Sequence, residues 1–282
     1  MPGAKERHLL AVLAAAFPAS VSVDQLLECL WNGAPPRTGR KSLQAHVVRL
    51  RTALEPGRPA GSPGRYVVRR HDGYALAIER ERLDATAFAD LGARGRALLS
   101  AGDAEAADDL LRQGLALWRG RPYADWPDAT DLDGERARLE GVRAHVLEAF
   151  WEAELALGRH AEAVPELGRL TQDQPLQEGW WALHALALYR AGRQGDALET
   201  LRGARRVLDD QLGVEPGARL RELEQAILAQ DATLDLAPAA ATPTTPAVKP
   251  AAVAQTTGCP YKGLARYVVD DAAVFHGRDR LV

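Results

Sequence analysis

This 282-residue sequence is short of cysteine and has no long apolar run. Only Cys29 and Cys259 occur, far apart, which leaves no basis for a disulfide framework or a cysteine-rich zinc site. No stretch nears the ~18 apolar residues that a bilayer-spanning helix requires, so no membrane association is expected. Met1 to Arg7 lacks a signal-peptide pattern. The apolar run from Leu9 to Phe17 continues into a helical pattern rather than a cleavage site, and a reduced, cytoplasmic protein is expected. His8, His46, His71, His145, His160, His184 and His276 form no pair at metal-ligand spacing. A nucleophile elbow, a paired histidine and acid, and a G-x-x-x-x-G-K-[ST] loop are all missing, and Gly92-Ala93-Arg94-Gly95 is too short a pattern to mean nucleotide. Neither an enzyme nor a cofactor is expected from these residues.

What is present is a pronounced charge asymmetry. The net charge of -3 conceals an N-terminal stretch, residues 1–82, with 13 Lys/Arg against 7 Asp/Glu. Between Arg37 and Arg70 nine basic residues face a single acid, Glu55. A basic block beside an acidic body is the footprint of a protein that sets one end on phosphate, although a basic face is often merely solvated.

The chain is long enough for two domains of ordinary size. Leu9, Leu10, Leu13 and Phe17 predict a first helix. Ser22 can cap a second, with Asp24 in its first turn and Leu26, Leu27, Leu30 and Trp31 as its apolar stripe. After the break at Gly33-Ala34-Pro35-Pro36, a third helix runs from about Gly39 to Leu54, with Leu43, Val47, Leu50 and Leu54 on one face. A Pro/Gly loop follows. The runs Tyr66-Val67-Val68 and Tyr74 to Ile78, joined through Asp72-Gly73, predict a hairpin.

From Leu83 to about Leu234 the pattern is helical and repetitive. Gly158 is followed by Ala163, Leu167, Leu170 and Pro175, and Gly192 by Ala197, Leu201 and Ala204 at matching offsets. The two glycines are 34 residues apart, the tetratricopeptide period, and Gly102, Ala107, Leu111 and Gly114 repeat the pattern more loosely. Stacked helical hairpins follow, with a glycine at each inter-helix turn and small residues where helices meet. The predicted fold is mainly α, a winged helix-turn-helix followed by a tetratricopeptide-like all-α repeat domain. Its expected divisions are 1–80 for the winged helix, 83–236 for the repeat domain, 237–257 for an Ala/Pro/Thr-rich linker and 258–282 for a further segment too short to fold alone.

In a winged helix the recognition helix lies in the major groove and the hairpin reaches the adjacent backbone or minor groove. With Leu43, Val47, Leu50 and Leu54 toward the core, Arg40, Lys41, Gln44, Ala45, Val48, Arg49 and Thr52 lie wholly or partly on the open face. Arg40, Lys41 and Gln44 suit base edges, because Arg and Lys pair with guanine and Gln with adenine. Thr38, a plausible helix cap, and Arg49 better suit phosphate. Arg69 and Arg70 at the hairpin tip are the expected wing contacts. Arg51 is expected to cover the helix flank with its stem, and His46 to pack or flank DNA rather than catalyse.

Val21-Ser22-Val23-Asp24-Gln25-Leu26-Leu27 through Leu30-Trp31, Pro35-Pro36, Val47 to Leu54, and Gly73-Tyr74-Ala75-Leu76 together resemble the Streptomyces antibiotic regulatory protein family. Leu83 to Phe88, Trp118 to Tyr123 and Gly213 to Gly217 resemble motifs of its second domain. The resemblance covers roughly Arg7 to Leu234 and implies an OmpR-type winged helix joined to a bacterial transcriptional activation domain. It implies an activator that binds direct repeats in double-stranded promoter DNA as side-by-side protomers and recruits RNA polymerase through its sigma factor and alpha subunit. Cys259 to Leu264, Asp271-Ala272 and Phe275 to Arg278 resemble the opening of a STAND-type ATPase domain, so 258–282 reads as its truncated start. One departure is that the family usually carries a short sheet ahead of the first helix, where this sequence has only Met1 to Lys5.

Trp118, Trp126, Trp151, Trp180 and Trp181 could line a pocket, but core of stacked helices is the expectation. Asp125, Asp128, Asp131, Asp133 and Glu135 surround Pro127 without EF-hand order and read as a solvated interdomain loop. The competing reading of the whole is a tetratricopeptide adaptor acting only through protein contacts, which would not need the Arg37–Arg70 basic block.

Overall fold

The computed structural model describes residues 3–59 and 61–236. Segments 237–257 and 258–282, expected as linker and ATPase opening, lie outside the described residues. Three helices, α1 (Ala4–Ala15), α2 (Val23–Trp31) and α3 (Gly39–Leu54), carry an antiparallel sheet of β1 (Val21–Ser22), β2 (Val67–Arg70) and β3 (Gly73–Leu76) in the order β1-β3-β2. Leu9, Leu13, Leu26, Leu43, Leu50 and Val67 are at most 1% exposed and form the centre of this core.

Local chemistry explains the element boundaries. Ser22 caps α2 in a reciprocal box: its side chain accepts from the Gln25 backbone N–H, while the Gln25 side chain accepts from the Ser22 N–H. The same Ser22 pairs with Gly73, so the α1–α2 connection becomes the third strand, which the sequence pattern did not reveal. The hairpin differs from expectation too. Its two-residue turn is His71-Asp72, with His71 at φ 45°, and Gly73 belongs to the strand. Gly73 is required there because a Cβ would lie 2.0 Å from the Val21 carbonyl oxygen as β1 crosses it.

The helical part stacks three antiparallel pairs: α4 (Asp84–Ser100) with α5 (Ala104–Ala116), α6 (Asp133–Ala156) with α7 (His160–Asp173), and α8 (Glu178–Arg190) with α9 (Gln194–Leu212). A final helix, α10 (Ala218–Ala229), packs on α8 and α9. The repeated positions serve one purpose in each pair. Gly102, Gly158 and Gly192 turn the chain at φ 85°, 84° and 76°, and Ala107, Ala163 and Ala197 are fully buried where the helices meet. The first interval departs from the 34-residue period because α6 runs to 24 residues and the irregular segment 117–132 precedes it. Gly92 has a packing role, since a Cβ there would lie 2.4 Å from Val146 of α6.

Segment 117–132 also joins the two parts. Leu132, fully buried, is a member of the winged-helix core, with Tyr123, Trp126 and Ala129 packed against the same cluster. His8 of α1 stacks on Trp126 at 5.8 Å between centroids and lies 3.1 Å from Asp131. Arg136, 3% exposed, donates from its guanidinium to the Trp126 and Ala129 carbonyls and fixes the segment from the helical side. The expected solvated acidic loop is therefore a plug: Asp125, Asp128 and Asp133 are exposed, Asp131 turns to His8, and Trp126, Ala129 and Leu132 turn inward at intervals of three.

Among the tryptophans, Trp180 is core as expected and Trp151 and Trp181 are half-buried in the repeat clusters. Trp118 packs on Phe88 at 5.3 Å and Trp126 on His8, both half-buried at the junction of the two parts. No helix among the described residues is long and apolar enough to cross a membrane.

Candidate nucleic-acid interface

The recognition helix divides as its periodicity requires. Gly39, Leu43, Val47 and Leu50 are buried, whereas Arg40, Lys41, Gln44, Ala45, Val48, Arg49 and Thr52 are exposed. Val48, 51% exposed, is an apolar side chain left on an otherwise polar face. Lys41, Gln44, Ala45 and Val48 thus stand together on the open surface of α3. Val48 offers a surface suited to a thymine methyl, and Lys41 and Gln44 offer donors suited to base edges.

Several expected contacts have intramolecular partners. Arg40 donates to Asp24 at 2.6 Å, across from the first turn of α2, with both side chains largely exposed. Arg49 donates to Glu6 at 3.2 Å, yet its own side chain stays 66% exposed. Thr38 occupies the N-cap position of α3 but its side chain makes no capping hydrogen bond, because its backbone is not extended as an N-cap normally is. Arg69 and Arg70 are the last residues of β2 rather than the turn itself, and both are exposed. Arg51 behaves as a structural residue: its Nε donates to the Val67 carbonyl at 2.8 Å and its guanidinium lies 5.9 Å from the Tyr74 ring, tying α3 to the wing.

Glu6 is the functional neighbour that the sequence reading missed. It is 4% exposed and accepts from His46 Nδ1 at 2.8 Å and from Arg49 at 3.2 Å. The hydrogen bond from His46, with that from Arg49, holds its carboxyl down at about 2 against the opposing effect of burial. His46 also packs against Trp31, where Lys5 lies 4.4 Å over the ring. Glu6 sits three residues before Leu9 and seven before Leu13, so its place on the buried face of α1 was a readable signal.

The architecture is that of a winged-helix protein whose open recognition helix and wing end are basic, fused to a tetratricopeptide-like helical scaffold. Residues 2–76 match the family model "Transcriptional regulatory protein, C terminal", and residues 83–228 match the "Bacterial transcriptional activator domain". The chain is 37% identical over 234 residues to the regulatory protein DnrI of Streptomyces peucetius, covering 82% of this chain and 86% of that one. It is 40% identical over 230 residues to the transcriptional regulator RedD of Streptomyces coelicolor, covering 82% of this chain and 65% of that one. Against the regulatory protein AfsR of Streptomyces coelicolor it is 37% identical over 265 residues, 94% of this chain but 26% of the relative.

A solved structure of Mycobacterium tuberculosis EmbR in complex with a low-affinity phosphopeptide superposes with a TM-score of 0.76 at 33% identity, over 82% of this chain and 60% of that one. The chain belongs to the Streptomyces antibiotic regulatory protein family and is a transcriptional activator of that family.

Proposed function

We propose that this activator binds double-stranded promoter DNA through α3 and the wing, with residues 1–80 as reading head and 83–236 as the contact scaffold. Lys41, Gln44, Ala45 and Val48 read base edges. Thr38, Arg49, Arg69 and Arg70 hold phosphates, and Arg40 joins Lys41 and Gln44 at base edges when it leaves Asp24. The carrying observation is the exposure of Lys41, Gln44, Ala45 and Val48 as one contiguous face while Leu43, Val47 and Leu50 anchor the helix beneath them. Side-by-side protomers on direct repeats, recruiting RNA polymerase through its sigma factor and alpha subunit, complete the reading. The genes served are those of antibiotic biosynthesis, in the cytoplasm. Names of relatives such as DnrI and RedD as regulators support it.

The test is a titration against upstream DNA of neighbouring genes at two salt concentrations. Site-preferring binding should weaken steeply with salt. Arg70→Ala should reduce the salt slope by about one and weaken binding uniformly, whereas Lys41→Ala should also relax base preference. A folded protein that fails to bind at low salt would leave the adaptor reading standing instead.

A further inference from the structure

We propose that the junction between the winged helix and the helical hairpins is a binding site for a small, mostly apolar organic anion. A cavity of about 520 Å³ opens there between Leu10 and Ala14 of α1, Leu54 at the end of α3, Ile78 beyond β3, and Trp126. A second cavity of about 380 Å³ shares Ala14, Leu83, Tyr123 and Trp126 with it and extends to Phe88 and Trp118. Both fall within the roughly 300–1,000 Å³ of sites that enclose drug-sized ligands. Leu76 in its wall is 7% exposed and belongs to the winged-helix core, so the cavity sits on a closed core.

The walls specify the occupant. Aromatic and aliphatic side chains provide most of the surface, which suits a flat or branched hydrocarbon body. The charged side chains lining the larger cavity are Arg7 and Arg82, with no acid among its lining residues, and Arg82 lies 5.3 Å from the Tyr66 ring. A carboxylate or sulfonate on the occupant would meet the Arg82 guanidinium. Tyr123, in the wall common to both cavities, is held at φ 54°, a backbone strain that a bulky residue rarely bears and that concentrates at ligand-binding positions. Burial, with Glu135 and Asp84 nearby, raises its hydroxyl to about 12.

The site touches both ends of the reading head. Leu54 terminates α3 and Ile78 follows the wing strand, so an occupant wedged against Trp126 bears on their position relative to the helical scaffold. That consequence for DNA rests on the function proposed above, whereas binding itself does not.

The full chain is titrated with 8-anilino-1-naphthalenesulfonate by fluorescence, beside N-phenyl-1-naphthylamine, which shares the ring system without the charge. Saturable binding of one sulfonate per chain is expected, about tenfold tighter than the neutral amine, the worth of one charge-assisted contact. Arg82→Ala, at an exposed position, should bring the sulfonate down to the affinity of the amine. Ala14→Trp, which fills the wall shared by both cavities, should weaken both probes by at least about tenfold while the cooperative unfolding transition persists. No saturable binding to the folded chain would overturn the proposal, as would equal affinity for the two probes or unchanged affinity in Ala14→Trp. Should Ala14→Trp fail to fold, Arg82→Ala decides alone. Absence of DNA binding alongside normal probe binding would overturn the function reading and leave this site intact.

Discussion

Leu132→Ala is the perturbation with the most to say about how the two parts are joined. Leu132 lies in the irregular segment before α6, yet its side chain is fully buried within the winged-helix core. Truncating a buried leucine removes three carbons' worth of transfer energy and leaves a cavity, together about 2–5 kcal/mol. Segment 117–132 is irregular and can settle toward the void, which places the expected loss near the lower end, about 2–3 kcal/mol. For an ordered unit of this size each kcal/mol lowers Tm by roughly 2–4 °C, so a fall of roughly 5–10 °C is expected. Calorimetry and urea denaturation, followed by tryptophan fluorescence and by far-ultraviolet dichroism, provide the assay. The unmodified chain should unfold in one transition by both probes. In the variant the signal from Trp126, stacked on His8, should move earlier than the helical signal. A loss under about 1 kcal/mol, or an unchanged coincidence of probes, would refute the reasoning that the helical segment completes the winged-helix core.

Glu6 predicts a pH dependence. Its folded value of about 2 lies below the ordinary 4.5, so its stabilising effect is fully present above about 4.5 and is lost as pH falls through the interval toward 2. Glu6→Gln should be less stable near neutrality and lose less on acidification across that window. Urea midpoints at about pH 6 and about pH 3 decide it, and parallel losses in both proteins would sink the idea. Asp24→Ala should leave stability within about 1 kcal/mol, because the Arg40 pair is exposed, while releasing Arg40 to DNA. The salt slope of DNA binding should steepen by about one, and an unaltered slope would count against Arg40 as a DNA contact. Gly92→Ala should lower Tm despite the roughly 1 kcal/mol that alanine adds to an isolated helix, since overpacking against Val146 costs about 1–3 kcal/mol. A stabilised variant would mean that α4 and α6 part without cost.

Local pattern determined a large share of this protein. The 3.6-residue spacing of Leu43, Val47 and Leu50 set which face of α3 is buried, and so which side chains remain open. The glycines at 102, 158 and 192 marked three hairpin turns that recur at positive φ. Each signal lies within one or two turns of chain, where sequence spacing and spatial spacing are linked by helix geometry. The assignment of Ser22 to both a cap and a strand was illegible, because its partner Gly73 lies far along the chain. The same holds for Glu6, whose partners are forty and more residues away, and for the pairing of Arg40 with Asp24.

Segment 117–132 is the clearest case. Its composition reads as a solvated acidic loop, and Asp125 and Asp128 are exposed, but the inward spacing of Trp126, Ala129 and Leu132 and the pairing of Asp131 with His8 matter only once a second core exists to receive them. By itself the sequence determined the helices, their faces and the family, because periodicity and motif are properties of neighbouring residues. Only the tertiary structure decided which charged groups are tethered, where the two parts share a core and where they leave a cavity, because each of these depends on surfaces brought together from distant chain.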